Sequence, residues 1–417
     1  MSTTRKCAAA LLSGIILVGG CAPQPWWSDP DATWIRSYGG EDSDVGEGIV
    51  PADDGGLFIA GTADLQFGPE PRGDVYLVRT DSSGELVWEK TYGGAGIQAG
   101  RSIIRARDGG LVIAGESSST GDGERDALLI KVDQGGNLIW SRTFEGPLQE
   151  AAVAVRQTGD GGYILLCDRV DPEDPVADAG RAGYGGYDAR SSLYLIRTDG
   201  EGNLLWSRDY DSGANTLASS GILAPDGGFL ILATVTHYPE SNDDILLLKV
   251  DERGDEVWSR TWEEGRSYGY DLVGGSDGTY LIVGSYAPPD DVDRSEADHL
   301  FIKVDAEGNE VWHRSFGDSR MMDWGYGVTE SRDGGYLVPG TRTKDLFRSP
   351  EDISLTRIDE NGELLWQQIF PTATHNMFGG VVERPDGSIV VAGSTLMGDG
   401  TFDVFLIETD SEGNARW

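Results

Sequence analysis

Residues 126–144 read DALLIKVDQGGNLIWSRTF, and the same pattern returns at regular intervals along the chain. An apolar run leads to Asp133, Gly136 follows three residues later, and Trp140 stands seven residues after the aspartate. Short β-rich runs are typical of strands, and Asp followed by Gly at this spacing is typical of a type I turn. The stretch therefore predicts two antiparallel strands joined by a tight turn.

Three residue types keep one register through seven units. Tryptophan recurs at positions 34, 88, 140, 206, 258, 312, 366 and 417. The aspartates seven residues before a tryptophan are Asp81, Asp133, Asp199, Asp251, Asp305, Asp359 and Asp410. Asp-Gly pairs between the tryptophans begin at Asp54, Asp108, Asp160, Asp226, Asp277, Asp333 and Asp386. Chance does not produce this register, so the chain is a repeat protein.

One unit contains four strand signals, which we call a to d. In the second unit they are Gly100–Ile104, Gly110–Gly115, Ala127–Val132 and Asn137–Phe144. Strand c alternates, with its Lys or Arg expected to face solvent, and no useful helical periodicity exists. Four short antiparallel strands repeated seven times predict an all-β fold, a seven-bladed β-propeller, with the tryptophans packed between blades.

The two ends of the repeat predict how the ring closes. Residues 33–38 resemble a strand d that no strand c precedes, and the last unit breaks off at Trp417 within its own strand d. We expect residues 33–38 to complete the blade begun by residues 376–410. The ring would then have no open sheet edge between its first and last units.

The first 20 residues have the form of a secretory signal, with Arg5 and Lys6 before a short apolar run. The sequence Val-Gly-Gly-Cys at 18–21 resembles a bacterial lipobox, which implies diacylglyceryl modification of Cys21 and cleavage before it. An ordinary signal peptide with an incidental cysteine is the alternative. We expect residues 1–20 to be a leader, 21–32 a lipidated tether and 33–417 the propeller.

The predicted signal sequence and lipidated cysteine place the chain in the cell envelope, bound to the membrane through its lipid. Ala22 follows the cysteine, and in a Gram-negative cell this favours the outer membrane. The chain has 33 Lys and Arg against 70 Asp and Glu, a net charge of −37. So acidic a chain repels phosphate backbones, which excludes nucleic acid as a partner.

The combined pattern Trp-x-x-x-Tyr-Gly-Gly, Asp-Gly-Gly-Tyr-x-x-x-Gly and Asp-x-x-Leu-x-Lys-x-Asp-x-x-Gly-x-x-x-Trp resembles that of secreted bacterial and archaeal repeat proteins taken to be β-propellers. The resemblance covers residues 33–417. Its Asp-x-x-Gly-x-x-x-Trp part is distantly similar to the tryptophan-docking repeat of quinoprotein propellers. That similarity implies two precedents, pyrroloquinoline quinone dehydrogenases and a lipoprotein of the outer-membrane β-barrel assembly machinery, but fold does not transfer function.

Candidate site residues belong to the d–a loops, which differ in every unit. The residue ten before each Asp-Gly aspartate is polar in all units and is expected near the channel mouth. This mouth column is Asp44, Gln98, Glu150, Thr216, Ser267, Asp323 and Asn376. It predicts either a ring that binds polyols, sugars or a cation, or solvated loop caps.

Aromatic residues crowd three adjacent d–a loops. They are Tyr268 and Tyr270, Trp324 and Tyr326, and Phe378. Aromatic rings beside carboxylates suit a glycan or a protein partner, whereas residues packed under the rim would be structural. The sequence therefore adds these five side chains to the candidate ligand site.

Signatures of catalysis and of metal binding are weak. The four histidines are dispersed and no HExxH motif exists, so zinc is not expected. Pairs such as Asp122 with Asp126 and Asp399 with Asp403 could bind Ca²⁺, but no cofactor is predicted. The sequence favours a non-catalytic binding or scaffold protein. The alternatives are a carbohydrate-active enzyme using mouth carboxylates and, least favoured, a quinoprotein-like dehydrogenase.

Overall fold

The computed structural model describes residues 11–12, 15–16, 35–66, 71–118, 125–175, 189–237, 242–263, 265–288, 297–317, 321–344, 350–372 and 374–416. Within these ranges the chain forms 31 strands joined by turns and contains no helix. Cys21, the tether, Trp34, Asp122 and Trp417 lie outside the described residues. The first two strands, β1 (Leu11–Leu12) and β2 (Ile15–Ile16), pair with each other.

The other 29 strands make seven antiparallel sheets. The sheets of blades 1 to 3 consist of β4 (Ser43–Pro51), β5 (Leu57–Gln66), β6 (Arg72–Thr80), β7 (Leu86–Tyr92); β8 (Gln98–Arg105), β9 (Leu111–Ser117), β10 (Asp126–Val132), β11 (Leu138–Phe144); and β12 (Gln149–Gln157), β13 (Tyr163–Pro175), β14 (Ala189–Thr198), β15 (Leu204–Tyr210). Strand a is longer than predicted, since β8 extends two residues before Gly100 and one beyond Ile104.

Blades 4 to 7 follow the same plan. They consist of β16 (Asn215–Leu223), β17 (Phe229–His237), β18 (Asn242–Val250), β19 (Glu256–Trp262); β20 (Arg266–Gly274), β21 (Tyr280–Ala287), β22 (Asp298–Val304), β23 (Glu310–Phe316); β24 (Met322–Gly325), β25 (Thr329–Glu330), β26 (Tyr336–Thr343), β27 (Asp352–Ile358), β28 (Leu364–Phe370); and β29 (Asn376–Glu383), β30 (Ile389–Leu396), β31 (Phe402–Thr409), β3 (Ile35–Tyr38). In blade 6, strand a is split into β24 and β25, which both pair with β26.

Strand a of every blade contacts strand a of the next, from β4 through β29 and back to β4. These first strands therefore form the innermost ring around a central channel. The predicted seven-bladed β-propeller of four-stranded antiparallel blades is confirmed. Each blade is too small to form a core alone, and the ring stabilises it by covering both of its faces.

The predicted closure by the amino-terminal strand is confirmed. β3 pairs antiparallel with β31, from Ile35 opposite Ile407 to Tyr38 opposite Val404. The chain's other end adds to the same outer strand, because Ala415 bridges Thr409 and the amide of Arg416 donates to Glu408 O at 2.8 Å. Strand d of blade 7 is thus assembled from both ends of the chain.

The tryptophans of strand d pack on the neighbouring blade, as predicted. A Cβ added to Gly136 would lie 2.8 Å from Cη2 of Trp88, and Tyr92 Oη donates to Gly136 O at 2.7 Å. The other contacts of this type are Trp140 on Gly202, Trp206 on Gly254, Trp258 on Gly308, Trp312 on Gly362 and Trp366 on Gly413. Each indole therefore lies against the bare backbone of the next c–d turn.

The prediction that the basic residues of strand c face solvent is wrong. Lys131 is only 8 % exposed; its Nζ donates to Asp108 of the a–b turn and lies 6.0 Å from the centre of the Tyr163 ring in the next blade. The equivalent buried residues are Arg79, Arg197, Lys249, Lys303 and Arg357. Adjacent blades cover both faces of strand c, so its alternation does not indicate an outward face.

Apolar clusters lie between blades. One combines Val112 and Leu129 of blade 2 with Val155 and Leu165 of blade 3. Burial of one such side chain stabilises the fold by roughly 1.5–3 kcal/mol. The blade interfaces therefore hold the strands rigidly around the channel, and the irregular d–a loops lie at one end of it.

Candidate ligand-binding channel and inter-blade groove

The mouth column is buried. None of its seven side chains is more than 5 % exposed. Most bind the loop residue four positions upstream: Asp44 Oδ2 accepts from the Gly40 amide at 2.6 Å, and Gln98 Oε1 accepts from the Gly94 amide at 2.7 Å. Thr216 is bonded to Ser212 Oγ, and Asn376 Nδ2 donates to Thr372 Oγ1, both at 2.7 Å.

These side chains therefore hold the d–a loops in place. The structure puts Ser267 and Asp323 at the same strand position, both 2 % exposed. Asp323 Oδ1 lies 3.6 Å from Nε of Arg342. A ligand in the channel could reach these side chains only if the loops moved, and the ligand-binding role assigned to the column from the sequence stays a prediction.

A second column, three residues further along strand a, lines the channel. In six blades this residue is a β-bulge that strand b skips in the pairing register. In blade 6 it stands at the break between β24 and β25. The bulge column is Glu47, Arg101, Val153, Ser219, Tyr270, Tyr326 and Gly379. A bulge re-aims a side chain, and these residues are half-buried on the innermost strands.

Sequence reasoning missed five of these seven as site residues and reached Tyr270 and Tyr326 only through their aromatic character. A faint signal existed, because glycine precedes the position in blades 1, 2, 5 and 6, as Gly46 does before Glu47. Glycine inside a strand pattern often marks a bulge. The column also varies in chemistry from unit to unit.

The predicted aromatic residues come together as one ladder along blades 5 to 7. The Tyr270 and Tyr326 ring centres are 5.0 Å apart, and Tyr326 stacks on Phe378 at 5.8 Å. Tyr268 stacks on Tyr270 at 6.4 Å, while Trp324, 3 % exposed, lies 6.4 Å from Tyr326. Trp324 is therefore the buried support of the ladder, and the other four rings are half-buried.

Charged groups lie on the part of the channel wall formed by blades 1 and 2. Glu116 is 6 % exposed and pairs with Arg101 at 3.1 Å and with Arg125 at 3.2 Å. Glu47 Oε1 is buried without a hydrogen-bond partner among the described residues. Burial raises the pKa of Glu47, and Arg101 opposes that shift. The channel wall therefore combines the charged residues Glu47, Arg101 and Glu116 of blades 1 and 2 with the aromatic ladder of blades 5 to 7.

Glu150 departs from the loop-capping pattern of its column. The loop amide four residues upstream, that of Gly146, points to Asp126 at 3.4 Å instead. Glu150 Oε1 lies 3.1 Å from Arg169 Nε, and Oε2 has no hydrogen-bond partner in the described part of the chain. Burial raises the pKa of Glu150 to about 7, although Arg169 lowers it.

Glu150 lines a groove of about 340 Å³ between blades 2 and 3. Phe144 and Arg142 of β11 form one side of the groove, and Tyr194 of β14 with Asn203 of the next turn forms the other. The volume is in the range of small-molecule sites. The groove is separate from the channel, because it is built from the flanks of two blades.

The histidines and carboxylates of the described residues do not form a metal site. Within the described ranges, no three His, Cys, Asp or Glu side chains come together as metal ligands. His299 is fully buried, and burial lowers its pKa to about 3. No helix among these residues is long and apolar enough to cross a membrane.

Comparison with known proteins shows the fold and leaves the family open. No family model matches the chain. Regulatory protein FlaEY of Caulobacter vibrioides is 25 % identical over 179 residues, which cover 39 % of this chain and 18 % of that protein.

Solved structures share the propeller at low sequence identity. Puromycin hydrolase matches with a TM-score of 0.54 and 15 % identity over 89 % of this chain and 53 % of its own. A protein of unknown function from Dyadobacter fermentans matches with a TM-score of 0.50 and 12 % identity, over 90 % and 99 % of the two chains. The chain spans about half the length of the hydrolase and less than a fifth of the regulatory protein. At these identities the likeness concerns the fold alone.

Proposed function

We propose that this chain is a lipid-anchored β-propeller of the bacterial cell envelope that binds a glycan in its central channel without transforming it. The aromatic ladder carries the proposal. Tyr268, Tyr270, Tyr326 and Phe378 form a continuous row of half-buried rings on adjacent blades. Sugar rings stack on such faces, and rigid aromatic side chains lose little conformational entropy on binding.

The charged side of the channel supplies the polar contacts. Glu47 Oε1 accepts from a sugar hydroxyl in this proposal, and Arg101, already held by Glu116, donates to another. The ladder would thus bind the flat face of the sugar, and Glu47 and Arg101 would bind its hydroxyls. The lipobox at 18–21 supports an envelope location, in which glycans are accessible.

The test is glycan binding by the full-length chain in detergent, followed by thermal shift and an affinity measurement on each hit. Replacing Tyr270 and Tyr326 together by Ala is expected to weaken binding by about 10-fold or more, because two stacking surfaces are lost. The matched control replaces both by Phe, which keeps the rings and should change the affinity by less than about 3-fold. Unchanged binding by the alanine variant would refute the channel site.

A carbohydrate-active enzyme is the second candidate, and Glu150 is the observation that favours it. A carboxyl with a pKa of about 7 is suited to act as a general acid near neutral pH. Mass analysis of the glycan recovered from the binding experiment separates the two functions. An intact glycan is expected for a binding protein, and cleaved products would favour the enzyme.

A further inference from the structure

The flank of blades 2 and 3 contains a buried carboxyl whose local partners are incomplete. Glu150 is 2 % exposed, and its Oε2 receives no hydrogen bond from the described residues. In blades 1 and 2, loop amides at the equivalent position donate to Asp44 and Gln98. Leaving a buried acceptor unpaired costs about 1–3 kcal/mol. A structural cap is therefore not a sufficient account of this side chain.

The charged side chains around Glu150 favour the binding of a further cation. Arg169 is shared, since its Nε lies 3.1 Å from Glu150 Oε1 and its Nη1 donates to Asp209 at 2.9 Å. Asp126 of β10 and Asp209 of β15 both raise the pKa of Glu150. Glu145 and Arg142 line the same groove, and Cys167 of β13 lies nearby with its pKa raised by burial. One guanidinium thus serves two carboxylates in this region.

The groove walls are suited to an organic cation. Phe144 and Tyr194 are half-buried aromatic residues on opposite sides of the groove. The Arg169 guanidinium lies 4.3 Å from the Tyr194 ring centre, so this ring already makes one cation–π contact within the protein. Ammonium groups bind favourably among aromatic rings and a carboxylate. The net charge of −37 also concentrates cations near the molecule.

We infer that the groove between blades 2 and 3 binds a small organic molecule carrying an ammonium group, which donates a hydrogen bond to Oε2 of Glu150 while its apolar body lies between Phe144 and Tyr194. The site is independent of the aromatic ladder in the channel. It assigns to Glu150 a role as a ligand-binding residue on the blade flank.

The probe is benzylamine, with benzyl alcohol as its neutral counterpart, titrated into the full-length chain in detergent by calorimetry. Benzylammonium is expected to bind at least about 10-fold more tightly than the alcohol, since only the cation pairs with an ionised Glu150. Its affinity should rise between pH 6 and pH 8 and then level off, because Glu150 must lose its proton. Binding should release that proton into the buffer.

Glu150→Gln is expected to weaken benzylammonium binding by about 10-fold or more and to abolish its pH dependence. Glu145→Gln removes the same charge from an exposed position in the groove and should alter affinity by less than about 3-fold. Replacing Tyr270 and Tyr326 by Ala should leave this binding unchanged, which separates the groove from the channel. Equal binding of amine and alcohol, an unaltered Glu150→Gln variant, or no wild-type binding at about 10 mM amine would each overturn the inference.

Discussion

At the scale of single residues, contact between neighbouring blades depends on glycines under the tryptophans. Gly136 has φ +70°, and a Cβ at this position would approach Trp88 to 2.8 Å. Two separate penalties therefore oppose any side chain here, one from the backbone conformation and one from the indole. Gly161 in an a–b turn has φ +92° with nothing within 4 Å of an added Cβ, so it carries the first penalty alone.

Gly136→Ala is expected to destabilise the protein by about 3 kcal/mol, and Gly161→Ala by about 1 kcal/mol. The difference measures the cost of displacing the Trp88 indole from the neighbouring turn. Urea unfolding of the two variants beside the wild type gives both values. Equal losses would mean that the indole adapts and that the tryptophan contact is not specific.

At the scale of secondary-structure elements, β3 has only four residues but connects two blades. Its pairing with β31 supplies part of the outer strand of blade 7, and Tyr38 Oη donates to Gly84 O of blade 1. β3 therefore joins the last blade to the first. Without it, β31 presents an unpaired edge and the ring loses the contact that Tyr38 makes across the closure.

Deletion of residues 22–40 is expected to lower the melting temperature by about 10 °C or more, because the closing strand and its contacts are removed. Deletion of residues 22–32 alone is the matched control and should leave the melting temperature unchanged within about 2 °C. Differential scanning calorimetry of both variants makes the comparison. Equal melting temperatures for the two variants would show that β3 does not stabilise the ring.

At the scale of the whole molecule, aspartates of the last and the first blade lie close together at the junction between blades 7 and 1. Asp44 and Asp403 both approach Gly39, where an added Cβ would lie 2.7 Å from Asp44 Oδ2 and 2.8 Å from Asp403 Oδ1. Asp403 Oδ1 is buried and has no hydrogen-bond partner among the described residues. Burial, together with the charges of Asp44 and Asp399, raises the pKa of Asp403 to about 6.

This junction makes stability depend on pH. The native pKa of Asp403 lies above that of an unfolded aspartate, so the native state holds the proton more tightly. The protonated carboxyl makes its full contribution to stability below about pH 4. The free energy of unfolding then falls by about 2 kcal/mol as the pH rises from 4 to 6. Asp403→Asn should remove that part of the decrease, whereas Asp399→Asn, which removes the smallest of the three contributions to the raised pKa, should reduce it much less. Urea unfolding at both pH values checks this, and an unaltered pH dependence in Asp403→Asn would refute it.

The sequence was sufficient for the fold because its strongest signals are local. Asp133, Gly136 and Trp140 specify a turn and a docking contact whose spacing survives in every unit. The sidedness of strand c was not predictable, since Lys131 alternates like a solvent-facing residue although blades cover both faces. Most of the channel-lining column was missed because a bulge adds one residue that no two-residue period reveals, so that Glu47 and not Asp44 is the channel-lining residue of blade 1.

The way in which blade 7 is assembled also determines how the ring responds to a pulling force. β3 connects the chain preceding Ile35 to the ring through four residue pairs with β31, the ion pair of Arg36 with Glu85 and the contacts of Tyr38. A force applied to the amino-terminal end would therefore load these pairs before any other blade. If the chain is anchored as proposed, tension on the anchor would detach β3 first and open the ring at the junction of its first and last blades, while the other six blades keep their own strands.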